Sequence, residues 1–176
     1  MQALFLSFMA KERFVIIGAV LALVIFVLGF IGPWYVISGN FMGFSASANI
    51  GLMETTISAG AGEASFAAQI ESPESETTML FAIVTIILAI IAFIGVVGSA
   101  FQFGKKDLMQ RIGEIFGFIT FLVAIITITY YVVNLPDMSN LESLGLSTGY
   151  GLGFYLFLVG AIAVFGTNIW SRLVKS

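Results

Sequence analysis

The chain has 176 residues and a net charge of −3; 59% of its residues are hydrophobic and 10% are charged. Its mean hydropathy of +1.07 is far above that of soluble domains, which marks a membrane protein and leaves no basic surface suited to nucleic acid. Cys and His are both absent, so disulfides, thiolate catalysis and histidine-ligated metals are excluded.

Four runs are apolar and long enough to span a bilayer: 14–32, 79–103, 115–133 and 150–170. At about 1.5 Å rise per residue, a run of about nineteen residues covers roughly 28 Å, close to the hydrocarbon thickness. A cleaved signal peptide is the alternative for the first run, with Lys11 and Arg13 as its basic region and the small residues at 45–48 as its cleavage site. The apolar stretch is too long for that, and the small residues lie too far beyond it, so the run is read as a retained span. Pro33 can end or kink that helix, and Trp34 and Tyr35 suit a headgroup layer, because their rings are apolar and their tips polar.

Basic residues sort to one side of this four-span scheme: Lys11 and Arg13 before the first span, Lys105, Lys106 and Arg111 between the second and third, Arg172 and Lys175 after the fourth. The positive-inside rule makes that side cytoplasmic and puts both termini there, in a multi-pass protein of the cell membrane. Loops 33–78 and 134–149 then face outward with Glu54, Glu63, Glu71, Glu74, Glu76, Asp137 and Glu142, and no basic residue among them. An acidic exterior attracts cations or a basic partner, or is simply a solvated surface.

The first outer loop is too long for a plain connection. From Phe44 it alternates: Phe44, Ala46, Ala48, Ile50 and Leu52 against Ser45, Ser47, Asn49, Gly51 and Met53, the period of a strand. A second alternation, Ala64, Phe66, Ala68 and Ile70 against Ser65, Ala67, Gln69 and Glu71, follows the glycine-containing 59–62 segment, which reads as the turn of an antiparallel hairpin. A lone hairpin is marginal, so a third strand near 35–38 is expected beside it. Segment 72–78 reads as a turn and helix entry, and 104–114 as a short charged link between antiparallel spans two and three. In the second outer loop, Leu135, Pro136 and Asp137 suggest a turn, and Leu141, Leu144 and Leu146 are candidates to cap the sheet. No clear internal repeat is visible.

Trp34 after span one, Gly51-Leu52 on a following strand, and a large first and small second outer loop over four spans resemble the claudin-like superfamily: claudins, peripheral myelin proteins and calcium-channel gamma subunits. The family pattern continues Gly-Leu with Trp and two cysteines; here Met53 takes the third position and both cysteines are missing. The basic link before span three and the Gly149, Gly151, Gly153 run at span four also look similar. The resemblance implies a mainly α membrane fold, a left-handed four-helix bundle under a small extracellular antiparallel β-sheet, with Trp34, Gly51 and Leu52 as structural motif residues. It does not imply paracellular sealing, and fold likeness alone fixes no activity.

Few residues suggest chemistry. Glu114 is the one acid close to a span interior, one turn from Arg111, and an i,i+3 pair accounts for it. Gln102 and Asn168 are candidates for interhelical hydrogen bonds. Gly113 with Gly117 and Gly149 with Gly153 make GxxxG spacings, and Gly18 with Ala22 a similar pair, all read as helix packing. No nucleophile with a base, metal cluster or phosphate loop emerges, so neither enzyme activity nor a cofactor is expected. The expected role is contact with a protein partner or with other copies through the outer sheet. A small channel or transporter subunit, with Glu54, Glu63 and Glu71 as a cation-attracting vestibule, is the alternative.

Overall fold

The computed structural model describes residues 2–41, 44–61, 64–71, 76–101, 105–135 and 145–173. In chain order the elements are α1 (Gln2–Ile31), β1 (Pro33–Phe41), β2 (Phe44–Gly51), β3 (Glu54–Ala61), β4 (Ala64–Glu71), α2 (Glu76–Ala100), α3 (Lys106–Val133), β5 (Ser147–Tyr150) and α4 (Leu152–Leu173). All four helices contain a stretch long and apolar enough to cross a membrane: Arg13–Ile31, Glu76–Ala100, Lys106–Val133 and Leu152–Leu173. The helices run past the apolar stretches at their charged ends. Thus α1 begins well before Phe14, and most of the expected link at 104–114 is the first two turns of α3.

The bundle closes as a ring in which α1 packs chiefly on α4 and α2 on α3, with α3 against α4 and a lighter contact between α1 and α2. Its buried positions step alternately by three and four residues. In α1 they are Val15, Ala19, Ala22, Phe26 and Gly29, and in α3 Gly113, Gly117, Thr120, Ala124 and Thr127. A mean step of about 3.5 residues is the heptad period, which keeps one seam facing the core when helices supercoil to the left. Most of these side chains are small. Small side chains let helices approach closely, the packing that helices of membrane-spanning composition use.

Two phenylalanines use the closest approaches reciprocally. Phe26 of α1 covers Gly160 of α4, where a Cβ would come within 2.6 Å of the Phe26 Cα. Phe157 of α4 covers Gly29 of α1, where a Cβ would run into the Phe157 backbone. The two rings stack with centroids 4.4 Å apart, and both residues are wholly buried. The buried hydroxyls of Thr85, Thr120 and Thr127 donate to carbonyls one turn back, those of Phe81, Phe116 and Val123, so their polarity is met within their own helices.

The sheet has five antiparallel strands in the order β4-β3-β2-β1-β5. This corrects the expected hairpin of 44–52 with 64–70: β3 lies between those two segments, and each pairs with it. Gly60 and Ala61 belong to β3 rather than to a turn, because pairing of Ala61 with Ala64 leaves only residues 62–63 as the link, and that part of the expected turn lies outside the described residues. Thr55, Thr56 and Ile57 favour a strand. The expected third strand is present as β1, longer than 35–38, and β5 adds a further strand from the second loop. Leu146, next to β5, packs over Gly39, where a Cβ would lie 2.5 Å from its Cδ2 atom; Leu141 and Leu144 lie outside the described residues, as do Pro136 and Asp137.

The glycine contacts generate a paired prediction. Gly29→Ala forces α1 and α4 apart and is expected to lower stability by about 1–3 kcal/mol. Gly166→Ala, where nothing lies within 4 Å of the added atom, is expected to raise it by about 0.5–1 kcal/mol through helix propensity. Thermal unfolding in detergent micelles measures both, and equal melting of the two variants contradicts the packing described.

Candidate functional site

The bundle and the sheet meet at Trp34. Helix α1 ends at Ile31, the Gly32 amide still donates to the Leu28 carbonyl at 2.9 Å, and Pro33, which has no amide hydrogen to continue the helix, opens β1. Pro33 pairs with Gly51 but Tyr35 pairs with Ile50, so Trp34 is an extra residue in the ladder, a β-bulge. A bulge re-aims a side chain. The Trp34 side chain is wholly buried in the bundle core.

Its indole Nε1 donates to the Gly29 carbonyl at 2.9 Å, satisfying an acceptor in the last turn of α1 that the helix itself leaves open. Tyr131 of α3 meets the ring edge-on with centroids 4.9 Å apart, Phe154 of α4 does so at 5.8 Å, and Phe157 lies at 5.0 Å. Truncating a buried aromatic side chain of this size costs roughly 3–5 kcal/mol through lost packing. One residue therefore ties three helices to the first strand.

The other motif residues meet at the same place. Leu52, 1% exposed, belongs to the same core cluster as Trp34. Gly51 faces Pro33 in the ladder, and a Cβ there would sit 3.1 Å from the Glu54 carbonyl. On the α4 side the Gly151 amide donates to the Trp34 carbonyl at 2.9 Å, and Cβ atoms on Gly151 or Gly153 would strike the carbonyls of Pro33 and Gly32 respectively. The structure thus brings Trp34, Gly51 and Leu52 together at the junction of bundle and sheet.

The other candidates divide. Gly113 and Gly117 form a seat on α3 for Asn168 of α4: a Cβ at Gly117 would lie 2.6 Å from Nδ2, and one at Gly113 would lie 2.9 Å from Oδ1. The expected interhelical hydrogen bond from Asn168 is not what forms. Nδ2 donates to the Val164 carbonyl of its own helix at 2.7 Å, while the buried Oδ1 accepts no conventional hydrogen bond and faces the Gly113 Cα, whose hydrogens are weak donors. Gln102 lies outside the described residues. Gly153 packs as expected, but Gly149 does not: it is an exposed residue of β5 with nothing within 4 Å of its Cβ position, because the glycine-rich run straddles a strand end and a helix start. Gly18 touches Thr167, with 3.4 Å between its Cβ position and the Thr167 methyl.

Glu114 pairs differently from the expectation. Gln110 Nε2 donates to its Oε1 at 3.0 Å, and Arg172 of α4, rather than Arg111, approaches its Oε2 at 3.8 Å. The Arg172 side chain is 72% exposed, so the pair contributes at most about 1 kcal/mol.

Of the three acids named from the first loop, Glu54 and Glu71 occupy directly opposed register positions on β3 and β4. Cα atoms at such positions stand about 4.5–5.5 Å apart. Glu63 lies outside the described residues. Among the described residues no group of three or more His, Cys, Asp and Glu could hold a metal ion.

Sequence reasoning did not single out the serines that the register aligns. Ser147, Ser38, Ser47 and Ser58 are successive direct partners across β5, β1, β2 and β3. They floor an open concavity of about 480 Å³, with Asn40 and Ser45 beside them. The next row, Thr148, Ile37, Ala48 and Ile57, has the opposite parity and is largely apolar. The signal was present in the strand alternation, but only the pairing order turns it into a row.

No protein-family model matches the chain, and no curated protein matches it.

Trp34→Phe keeps most of the ring burial and removes the indole donor, so a loss of about 1–2 kcal/mol is expected. Trp34→Ala removes the packing as well, with an expected loss of about 3–5 kcal/mol. Chemical or thermal unfolding in micelles reads both. A Trp34→Ala protein as stable as the parent would show that the junction contributes no stability.

Proposed function

We propose that this chain is a non-enzymatic, claudin-like protein of the cell membrane, whose four spans hold the β-sheet outside the cell for contact with a protein partner or with further copies of itself. The observation that carries the reading is the Trp34 junction, which fixes the sheet on the bundle through a buried indole, a hydrogen bond and close glycine contacts. A sheet so anchored is a rigid platform, and rigid presentation lowers the entropy cost of binding. The distribution of Lys and Arg supports cytoplasmic termini and an outer sheet. Phe44, Met53 and Ile57, which are 61%, 52% and 37% exposed, supply apolar contact area on the sheet.

Two measurements test this. A tag inserted at Ala61 is expected to react in intact cells with reagents that cannot cross the membrane; a shielded tag overturns the topology. A photo-crosslinking residue at Ile57, in native membranes, is expected to give discrete adducts of defined mass, and recovery of the monomer alone overturns the contact role.

Opposition of Glu54 and Glu71 favours a second reading, a cation-attracting vestibule beside a pore formed between subunits. Under it, liposomes carrying the protein conduct cations, and Glu54→Gln with Glu63→Gln and Glu71→Gln reduces the flux about tenfold at low salt, where screening is weakest. Liposomes that stay tight eliminate it.

A further inference from the structure

The bundle consists of two tight pairs, α1 with α4 and α2 with α3, and the pairs meet each other more lightly. The stacked rings of Phe121 and Phe165 join them, an apolar contact that a shifted pair could remake with other side chains. Asn168 of α4 sits on the same boundary. Its side chain is 3% exposed and lies over Gly113 and Gly117, the only two glycines of α3. Half of its hydrogen-bonding capacity is met: Nδ2 donates to the Val164 carbonyl at 2.7 Å, while the buried Oδ1 accepts no hydrogen bond. A buried acceptor left in this state weakens a fold, so stability does not account for an amide here. Nor does a ligand. The enclosed cavity beside it, lined by Ala19, Val96 and Thr167 among others, measures about 10 Å³, room for one water at most.

We propose that Asn168 is a positioning residue that sets the register of the α2–α3 pair against the α1–α4 pair, admitting one height and penalising its neighbours. The amide reaches α3 only because both facing residues lack a side chain: a Cβ at Gly117 would lie 2.6 Å from Nδ2, and one at Gly113 would lie 2.9 Å from Oδ1. At this height Oδ1 has the Gly113 Cα hydrogens, weak donors, in front of it. A slip of one turn, about 5.4 Å, exchanges one glycine of the seat for Met109 or Phe121, the residues four places away along α3. The amide then meets a side chain and loses its seat. One polar residue in a coiled-coil seam fixes register by the same penalty, at a cost in stability. The effect extends to the far end of α3, because Tyr131 of that helix meets the Trp34 ring edge-on, and the height that Asn168 sets is the height at which they meet. The proposal depends neither on the side of the membrane that the sheet faces nor on any partner.

Distances between two nitroxide labels, measured by double electron–electron resonance on the full chain in phosphatidylcholine nanodiscs, test it, and the absence of Cys makes the labelling specific. The labels go on Ile115→Cys of α3 and Val159→Cys of α4, both exposed. With Glu114 beside Arg172, these positions stand roughly 18 Å apart along the bundle axis, so a slip changes their separation. One narrow distance is expected in the parent. In Asn168→Ala with Gly117→Ala, the methyl added on α3 refills part of the room that the amide leaves, so register can change while packing is kept. That variant is expected to unfold close to the parent temperature, with the main distance moved, or a second one added, by about 3–5 Å, as a one-turn slip requires. Asn168→Ala alone is expected to show the same shift with a lower melting temperature, because its cavity stays unfilled. The parent distance alone in both variants overturns the proposal. So does an equal shift in Gly166→Ala, whose added methyl meets open space.

Discussion

The junction of the described sheet with the helices centres on one residue that does not fit its own strand. Trp34 is the extra position between Pro33 and Tyr35, and because it drops out of the ladder its side chain enters the bundle core. There the indole nitrogen closes on the Gly29 carbonyl in the last turn of α1. Helix end and strand start are thus tied through five residues of the same chain, and the direction of α1 becomes the direction in which the sheet departs. With Cys absent, no covalent staple can do this. A disulfide typically contributes about 2–4 kcal/mol, which is comparable with the burial of one large aromatic side chain. The junction supplies by packing what a crosslink would otherwise supply.

The bundle below follows a different logic, suited to a solvent that gives apolar side chains no reason to associate. Alanine, glycine, serine and threonine occupy most described seam positions, and the rings of Phe26 and Phe157 enter where a glycine on the facing helix makes room. Phe26 over Gly160 and Phe157 over Gly29 are two halves of one arrangement, and Phe157 also touches Trp34. The hydrogen bond from the indole ends on Gly29, so the same glycine serves the helix contact and the junction. Loosening of the α1–α4 contact is therefore expected to reach the sheet.

Much of this was legible in the sequence, and what was not shares a cause. Four long apolar helices, the helix end at Pro33 and the strand after it are signalled by local composition. The errors concern partners. Segment 44–53 read as one strand because its alternation continues through Leu52 and Met53, which the structure uses as the link to β3. β5 has four residues, too few for a periodic signal. Glu114 has a neighbour at i−3 that the sequence shows and a nearer one on another helix that it cannot show. Gly149 and Gly153 share a spacing, yet only the second lies where a backbone passes close by.

Once the bulge is passed, the sheet obeys strict arithmetic. Links of two residues, 42–43, 52–53 and 62–63, separate strands of nearly equal length, and the pairings Tyr35 with Ile50, Ile50 with Thr55 and Thr55 with Ile70 hold without a further shift. The strand unit recurs about every ten residues although no sequence motif repeats with it. Since side chains alternate with period two, direct partners share a face, and equal links keep that face continuous from strand to strand. Serines at 38, 47 and 58 form a row for this reason, with Ile37, Ala48 and Ile57 in the adjoining row of opposite parity. A one-residue slip in any of these pairings would transfer that strand's serines to the apolar side. The chemical contrast between the two faces therefore depends on register as much as on residue type, and the bulge at Trp34 sets the register from which the counting begins.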